Sequence, residues 1–276
     1  MRAVLAYHCH MKNEELRSYR AFLLDVDGVL LRGGDVIPGA IAGVTRLQQR
    51  QKVLLLSNNS TRSREQVAHR LQNAGFPIEK GDIVTSAFIA SQYLREHYGP
   101  VRVWTLGEEG LDLELLAAGH ELVPPGEADW VVAGMDRNLN YARLAQGLRA
   151  LLAGARLLAT NEDATFPTPE GPQPGAGAVI GAFKGMGFSP HAVVGKPSKI
   201  AFQIALERAE CKPEEALMIG DRLETDILGA LEAGVDSALV LTGVTTDEMV
   251  NIDAPASRFV ADSILDLAEG RFKTLH

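Results

Sequence analysis

A parallel sheet covered by helices, with a second α/β domain inserted into the first, is the fold that this sequence predicts. Short apolar runs alternate with amphipathic helical segments from Arg20 onward, a pattern typical of strands that are buried on both faces. The same alternation is repeated independently between about residues 86 and 187. About a hundred residues suffice for a compact unit of its own. A single larger sheet is the alternative that the pattern leaves open.

The elements of the first domain follow from local patterns. The apolar runs that predict its strands are residues 22–24, 53–56, 193–194, 217–219 and 238–241. Ile41, Val44 and Leu47 lie at helical spacing between the first two runs. Ser63 and Gln66 form a capping-box pattern at the start of the next helix, and Gly75 fits its C-terminal cap.

The middle of the chain has its own series of elements. Residues 101–106, 130–133 and 157–159 are strand-like, whereas residues 111–118 and 141–152 are helix-like. A Pro- and Gly-rich stretch over residues 161–177 predicts a long loop. We therefore predict an N-terminal extension over 1–19, a first domain formed by 20–85 and 188–276, and an inserted domain over 86–187.

Composition excludes several classes of function. The 276 residues carry 27 Lys and Arg against 35 Asp and Glu, a formal net charge of −8, and no basic run predicts a nucleic-acid partner. Apolar stretches are too short for a signal peptide or a membrane span, so no membrane partner is expected. With only two cysteines, we expect a cytoplasmic protein in a reducing compartment.

Three of the apolar runs end in residues that can do chemistry. Asp25 ends the first run, Ser-Asn-Asn-Ser at residues 57–60 ends the second, and Asp221 follows 217–219 after one glycine. In an open parallel α/β sheet, ligands bind in the crevice at the carboxyl ends of the strands. We therefore expect these separated segments to converge on one crevice.

The acidic residues of this set predict a magnesium site. Asp25 and Asp27 lie two residues apart, so both carboxylates can face the same space. Clustered carboxylates repel one another unless a cation lies among them. Asp25, Asp221 and the backbone carbonyl of Asp27 would offer hard oxygen ligands to Mg²⁺. Asp226 either supports this site or is a charge near the first turn of a helix.

Two other segments could bind an anion. Ser57, Asn58 and Asn59 lie between a strand and a helix, where hydroxyl, amide and backbone N–H groups can point at a phosphoryl group. A capped turn is the alternative interpretation. Lys196 follows the run at 193–194, where we expect a fourth strand to reach the same edge of the sheet. Its ammonium group would neutralise a carboxylate and phosphoryl oxygens; a solvated lysine is the alternative.

The order of these motifs resembles the haloacid dehalogenase (HAD) superfamily. Residues 25–30 (Asp-Val-Asp-Gly-Val-Leu), 57–60, 194–198 (Val-Gly-Lys-Pro-Ser) and 220–226 (Gly-Asp-Arg-Leu-Glu-Thr-Asp) are similar to the motifs of its class IIA branch. That branch includes NagD-type, p-nitrophenyl phosphate, phosphoglycolate and pyridoxal phosphate phosphatases. The resemblance extends from Arg20 to Leu267 and implies a Rossmann-like core, its parallel sheet flanked by helices, with an inserted α/β cap domain of the kind that defines this branch.

The resemblance also implies roles for the residues. Asp25 would be the nucleophile that forms an aspartyl-phosphate, and Asp27 the general acid and base. The other implied assignments are Ser57, Asn58 and Asn59 on the phosphoryl oxygens, Lys196 on the developing charge, and Asp25, Asp27 and Asp221 on Mg²⁺, supported by Asp226. Asp27 favours phosphomonoester hydrolysis, because haloacid dehalogenases lack this second Asp and the ion-pumping ATPases place Thr there.

We therefore predict a Mg²⁺-dependent phosphatase of small phosphorylated metabolites, with p-nitrophenyl phosphate as an artificial substrate. Phosphoryl transfer to a sugar or alcohol, and a noncatalytic phosphometabolite sensor, are the alternatives. Specificity is expected from the cap, with the loop at 161–177 as the candidate segment. Phe166 stands where pyridoxal phosphate phosphatases carry a histidine, which argues against a pyridoxal preference. An aromatic side chain can still pack against a ring, and a residue of the cap core is the alternative interpretation. A homodimer formed through the cap is compatible with the resemblance.

Overall fold

Residues 15–168, 171–253 and 257–275 are described by a computed structural model of the chain. Contacts divide them into two units. The first unit comprises the described residues up to Ser57, His69–Ile83 and the described residues from Phe202 onward. The second comprises Asn58–Ala68 and Val84–Ala201. Most of the predicted N-terminal extension, residues 1–14, lies outside the described residues.

Strands and helices alternate along most of the chain. The strands are β1 Ala21–Leu24, β2 Leu31–Arg32, β3 Asp35–Val36, β4 Lys52–Ser57, β5 Ile83–Thr85, β6 Arg102–Leu106, β7 Glu121–Leu122, β8 Trp130–Ala133, β9 Arg156–Ala159, β10 Thr165–Thr168, β11 Gly171–Pro174, β12 Ala192–Val193, β13 Ala216–Gly220, β14 Asp236–Val240, β15 Phe259–Ala261 and β16 Lys273–Thr274. The α-helices are α1 Ala40–Gln48, α2 Arg64–Asn73, α3 Ser86–Tyr98, α4 Glu109–Ala117, α5 Tyr141–Leu152, α6 Ala176–Gly185, α7 Lys199–Ala209, α8 Leu228–Ala233, α9 Asp247–Asp253 and α10 Ile264–Ala268.

The first unit is built on a seven-stranded sheet with the order β16-β15-β14-β13-β1-β4-β5. Strand β1 pairs in parallel with both β4 and β13, and all four of its residues are buried. A strand that is buried on both faces has a continuous apolar sequence, as residues 22–24 do. Strand β14 extends the sheet in parallel beyond β13. The central strands of the predicted parallel sheet are therefore confirmed.

Helix α2 begins and ends where the sequence predicts. The Ser63 N–H donates to Gln66 Oε1 at 2.9 Å, and the Gln66 N–H donates to Ser63 Oγ at 3.3 Å, which is the reciprocal pattern of a capping box. At the other end Gly75 has a φ of +95°, and the Phe76 N–H donates to the Leu71 carbonyl at 3.0 Å. This is a Schellman C-terminus, where glycine avoids the strain of a left-handed residue.

The second unit contains a five-stranded sheet with the order β12-β9-β8-β6-β7, paired in parallel throughout. Its core includes Val131 from β8 and Phe183 from α6, with Leu106, Leu151 and Leu157 beside them. Apolar side chains on a central strand and on the flanking helices exclude water from both faces of the sheet.

The strand before Lys196 pairs with a strand of a different sheet from the one predicted. Residues 193–194 were expected in the main sheet, but β12 (Ala192–Val193) pairs with β9 at the edge of the five-stranded sheet. A two-residue apolar run fits the edge of either parallel sheet, so local sequence does not select its partner. The second unit defined by contacts extends to Ala201, and the cap boundaries of 86 and 187 stay a prediction.

The Pro- and Gly-rich stretch is more regular than the predicted loop. Strands β10 and β11 form an antiparallel hairpin in which Phe166 is paired with Gln173. Phe166 is partly buried. Proline is tolerated in such a strand because an edge position needs no N–H for a further partner. Within the described part of the chain, no helix has both the length and the apolar character that a bilayer crossing requires.

Candidate active site

Three aspartates of the first unit lie at the carboxyl ends of its central strands. Asp25 follows β1, Asp221 follows the neighbouring strand β13, and Asp226 lies in the short π-helix Leu223–Ile227. The Asp25 N–H donates to the carbonyl of Ile219 in β13 at 2.9 Å, which extends the ladder by one residue. Parallel pairing in register thus delivers two acidic residues at one edge of the sheet.

The acidic cluster of Asp25, Asp221 and Asp226 has the chemistry of a divalent-metal site. One carboxylate oxygen from each residue lies within 4.8 Å of the other two. The three residues are 8 %, 1 % and 0 % exposed, so water screens their mutual repulsion poorly. Carboxylate oxygens are the ligands that hard cations prefer. The donor set therefore fits a divalent ion, as predicted for Asp25 and Asp221.

Asp226 orders the backbone beside Asp221. Its Oδ2 accepts from the Asp221 N–H at 3.2 Å and from the Arg222 N–H at 3.1 Å. Asp226 is thus a charge that binds N–H groups at the start of a helical segment. It also lies in the acidic cluster, and its support of a metal site stays a prediction. The side chain of Asp27 is exposed and outside that cluster; its backbone carbonyl was the predicted ligand.

A loop that the sequence analysis missed fixes the Asp221 carboxylate. It follows β14, and its Val244 N–H donates to Asp221 Oδ2 at 2.7 Å. The Thr242 hydroxyl of the same loop donates to the Gly28 carbonyl at 2.6 Å, which ties the loop to the turn after Asp25. The sequence contains a signal that could have indicated this loop, because the apolar run at 238–241 also ends in small polar residues.

Glycines surround the acidic cluster because the carboxylates leave no room for side chains. A Cβ at Gly28, where φ is +90°, would lie 2.3 Å from Asp221 Oδ2, and one at Gly243 would lie 1.8 Å from the same atom. A Cβ at Gly220 would lie 2.3 Å from Asp226 Cβ. Packed interiors do not absorb such overlaps without movement of the backbone.

The second unit holds Lys196 in an arrangement that we name the lysine clamp and define as Asn58, Asn161, Asp163 and Lys196. The Lys196 N–H donates to Asn58 Oδ1 at 2.8 Å, and Asn58 Nδ2 donates to the Lys196 carbonyl at 2.9 Å. Lys196 is buried, so the solvated lysine weighed as an alternative is not observed. Sequence reasoning missed Asn161 and Asp163, which follow the strand end of β9.

In the segment after β4, Asn59 uses its side chain in local hydrogen bonds, unlike Asn58. Ser57 is the last residue of β4 and is buried. Asn59 Oδ1 accepts from the N–H groups of Thr61 and Arg62 at 3.0 and 3.1 Å, which is the capped turn weighed as an alternative. Because the side chains of Asn58 and Asn59 are engaged, phosphoryl binding by these residues stays a prediction that would involve their backbone N–H groups.

Comparison with known proteins places this geometry in a family. A model described as haloacid dehalogenase-like hydrolase matches residues 22–121, and one described as HAD-hydrolase-like matches residues 193–267. The sugar-phosphatase AraL of Bacillus subtilis (strain 168) is 36 % identical, over 90 % of this chain and 91 % of its own length. This chain belongs to the haloacid dehalogenase-like hydrolases. It is a class IIA member and a phosphoric monoester hydrolase.

Solved structures of HAD phosphatases share its fold. The p-nitrophenyl phosphatase of Archaeoglobus fulgidus superimposes with a TM-score of 0.86 at 35 % identity, covering 91 % of this chain and 98 % of that one. A glycerol phosphate phosphatase of Mycobacterium tuberculosis, in complex with magnesium, has a TM-score of 0.83 at 33 % identity and covers 91 % and 77 %. The HAD fold expected from the motifs is therefore confirmed.

Proposed function

We propose that this HAD phosphatase is Mg²⁺-dependent and hydrolyses small phosphomonoesters through an aspartyl-phosphate on Asp25. The proposal rests on the acidic cluster, in which one carboxylate oxygen from each of three buried aspartates lies within 4.8 Å of the other two. The motifs that supply these aspartates occur along the chain in the order found in the family. The names of its relatives, among them sugar and glycerol phosphate phosphatases, support small phosphorylated metabolites as substrates.

The acidic cluster would hold the metal in this proposal. Asp25 and Asp221 would supply carboxylate oxygens, the Asp27 carbonyl would add the third predicted ligand, and Asp226 would support them. Bound Mg²⁺ supplies positive charge that neutralises phosphoryl oxygens and lowers the repulsion met by an anionic nucleophile.

Asp25 and Asp27 would carry out the covalent chemistry. An Asp25 carboxylate oxygen attacks phosphorus in line with the leaving group, so that a bond to Asp25 forms as the bond to the substrate oxygen breaks. Asp27 donates a proton to that oxygen, and the alcohol departs. Asp27 then removes a proton from water, which attacks phosphorus and releases Asp25 and inorganic phosphate. The exposed position of Asp27 suits a group that must meet both the leaving alcohol and water.

Lys196, Ser57 and the backbone after β4 would act on the transferring group. We assign the Lys196 ammonium group the stabilisation of charge that develops on the phosphoryl oxygens. The Ser57 hydroxyl would bind one of these oxygens, and the N–H groups of Asn58 and Asn59 would add further hydrogen bonds. Such contacts position the group for an in-line displacement, which is the main requirement of phosphoryl transfer.

Hydrolysis of p-nitrophenyl phosphate tests the proposal. We expect turnover with Mg²⁺ and its loss in excess EDTA. Replacing the nucleophile in Asp25→Asn should lower kcat by at least about a thousandfold, because the covalent route is then closed. Asp262→Asn is the matched control, since it removes an exposed carboxylate of the same unit and should leave kcat unchanged.

Two results would contradict the proposal. One is activity that persists in EDTA, and the other is an Asp25→Asn variant that turns over at the rate of the unsubstituted protein. Measuring phosphorylated acceptor against free phosphate, with glycerol added, separates hydrolysis from the alternative of phosphoryl transfer.

A further inference from the structure

The lysine clamp fixes the backbone of Lys196 through a single side-chain amide. Asn58 accepts the Lys196 N–H on Oδ1 and donates to the Lys196 carbonyl from Nδ2. Because a backbone N–H can only donate, the Asn58 oxygen must face it, and the orientation of the amide follows. A Cβ at Gly195 would lie 2.7 Å from Asn58 Oδ1, so glycine at this position permits the close approach.

Asp163 holds that amide from the other side. Both of its carboxylate oxygens lie 3.2 Å from Asn58 Nδ2. An amide nitrogen has two protons, so one can serve the Lys196 carbonyl and the other Asp163. A hydrogen bond to an ionised acceptor is roughly twice as strong as a neutral one. Asp163 therefore restricts the rotation of the group that fixes Lys196.

The position of Asp163 is itself determined by the backbone around it. Its N–H donates to Asn161 Oδ1 at 3.1 Å, and Asn161 Nδ2 donates to the Asn58 carbonyl at 2.8 Å. Its carbonyl accepts from the Gly177 N–H at 2.9 Å at the start of α6. Asp163 thus belongs to a closed set of hydrogen bonds that includes Asn58 on two sides.

We propose that Asp163 is a positioning residue for Lys196: it holds the Asn58 amide, which in turn holds the lysine backbone. The proposal rests on the function proposed above for Lys196. The carboxylate contributes no group to the reaction and acts by reducing the range of positions that the ammonium group samples. Since electrostatic stabilisation depends on groups fixed before the reaction, this should appear in kcat more than in KM.

Removing the Asp163 carboxylate should slow turnover without unfolding the protein. For p-nitrophenyl phosphate we expect Asp163→Ala to lower kcat about tenfold with KM changed less than about threefold. Asp163→Asn keeps a carbonyl oxygen that can accept from Asn58 and should stay within about threefold of the original kcat. The matched control is Glu162→Ala, because Glu162 is the neighbouring acidic residue and pairs instead with Lys184 at 2.7 Å; its kcat should not change.

A double-mutant cycle decides whether Asp163 acts through the lysine. If it does, Asp163→Ala should cost nothing further in kcat once Lys196→Ala or Asn58→Ala is present. A purely structural role would instead lower the temperature of thermal unfolding and the kcat in every background. Where Asp163→Ala fails to fold, Asn58→Ala breaks the same connection and should show the same selective loss in kcat.

The outcomes separate this inference from the proposed function. Full activity of Asp163→Ala beside an impaired Lys196→Ala overturns the positioning role and leaves the lysine role intact. Additive losses overturn it as well, because Asp163 would then act independently. Full activity of Lys196→Ala overturns both assignments, whereas the Asp25→Asn result still tests the covalent route by itself.

Discussion

At the scale of single residues, two glycines determine the geometry of the acidic cluster. Gly28 and Gly243 both approach the Asp221 carboxylate so closely that a Cβ would overlap with it. Gly28 belongs to the recognised motif, but Gly243 lies 22 positions beyond Asp221 in sequence. Its importance comes from the loop after β14, whose Val244 N–H binds Asp221. Gly243 therefore leaves room for the Asp221 carboxylate. The Val244 N–H stabilises the negative charge of that carboxylate through a hydrogen bond.

We expect Gly243→Ala to displace the Asp221 carboxylate. The added methyl group would lie 1.8 Å from Asp221 Oδ2, and overpacking of this kind typically costs about 1–3 kcal/mol in the free energy of unfolding. The Mg²⁺ concentration that gives half-maximal hydrolysis should rise, because a displaced carboxylate binds the ion less well. Urea unfolding and a Mg²⁺ titration of activity measure the two effects.

The control for this substitution is Gly81→Ala in the same unit. At Gly81 a Cβ meets no atom within 4 Å, so neither the unfolding free energy nor the Mg²⁺ requirement should change appreciably. A Gly243→Ala protein that matches the control in both measurements would show that the loop yields without moving Asp221.

At the scale of elements, a buried histidine joins α3, α4 and β6. His120 follows α4, and its Nδ1 accepts from the Val101 N–H at 3.3 Å just before β6. Its Nε2 lies 2.9 Å from the carbonyl of Ser91 in α3, so this nitrogen carries the proton of a neutral ring. Burial lowers the pKa of His120 below its usual value. The contacts of His120 with these elements therefore favour an uncharged imidazole.

The contacts of His120 make the free energy of unfolding depend on pH in a definite direction. Because the pKa is lowered in the folded state, the unfolded chain binds more protons as the pH falls below about 6.5. The stabilisation is present above that value and is lost as the pH falls through the folded-state pKa. We expect the free energy of unfolding to decrease more steeply between pH 7 and pH 5 in the unsubstituted protein than in His120→Gln.

Urea unfolding at both pH values measures that difference, since the other titrating groups are common to the two proteins. The His97→Gln variant serves as a comparison, because this histidine of α3 is exposed and its Nδ1 lies against the Tyr93 carbonyl rather than a backbone N–H. Parallel pH dependence in the unsubstituted protein and His120→Gln would contradict the role assigned to His120.

At the scale of the whole molecule, Mg²⁺ should stabilise the folded chain. The acidic cluster concentrates negative charge at one edge of the seven-stranded sheet, and a ligand that binds only the folded state stabilises it by about 2.7 kcal/mol at a hundred times its Kd. We expect Mg²⁺ to raise the temperature of thermal unfolding, EDTA to reverse the shift, and Asp221→Asn to abolish it.

Calorimetry with Mg²⁺ alone, at constant ionic strength, measures this shift without relying on activity. The Asp262→Asn control should respond like the unsubstituted protein. An unfolding temperature that does not respond to Mg²⁺ would show that the acidic cluster does not hold the ion in the absence of substrate.

The sequence was most informative where a chemically reactive residue directly follows the end of a predicted strand. Asp25 and Asp221 were predicted to meet because each follows an apolar run, and parallel pairing of β1 with β13 brings them together. It was least informative where a residue acts through a neighbour distant in sequence. Asp163 has the pattern of an ordinary polar loop residue, and its contact with Asn58 spans 105 positions.

The order of apolar runs, caps and motif residues by itself determined the α/β class, the helix boundaries around α2 and the acidic residues, because periodicity and local hydrogen bonding are encoded over a few positions. Tertiary structure alone decided which sheet received β12, which loop held Asp221, and which carboxylate held the Asn58 amide. Those outcomes depend on packing between distant segments, where the steric fit of a glycine or the reach of an amide is set by atoms that the local sequence does not specify.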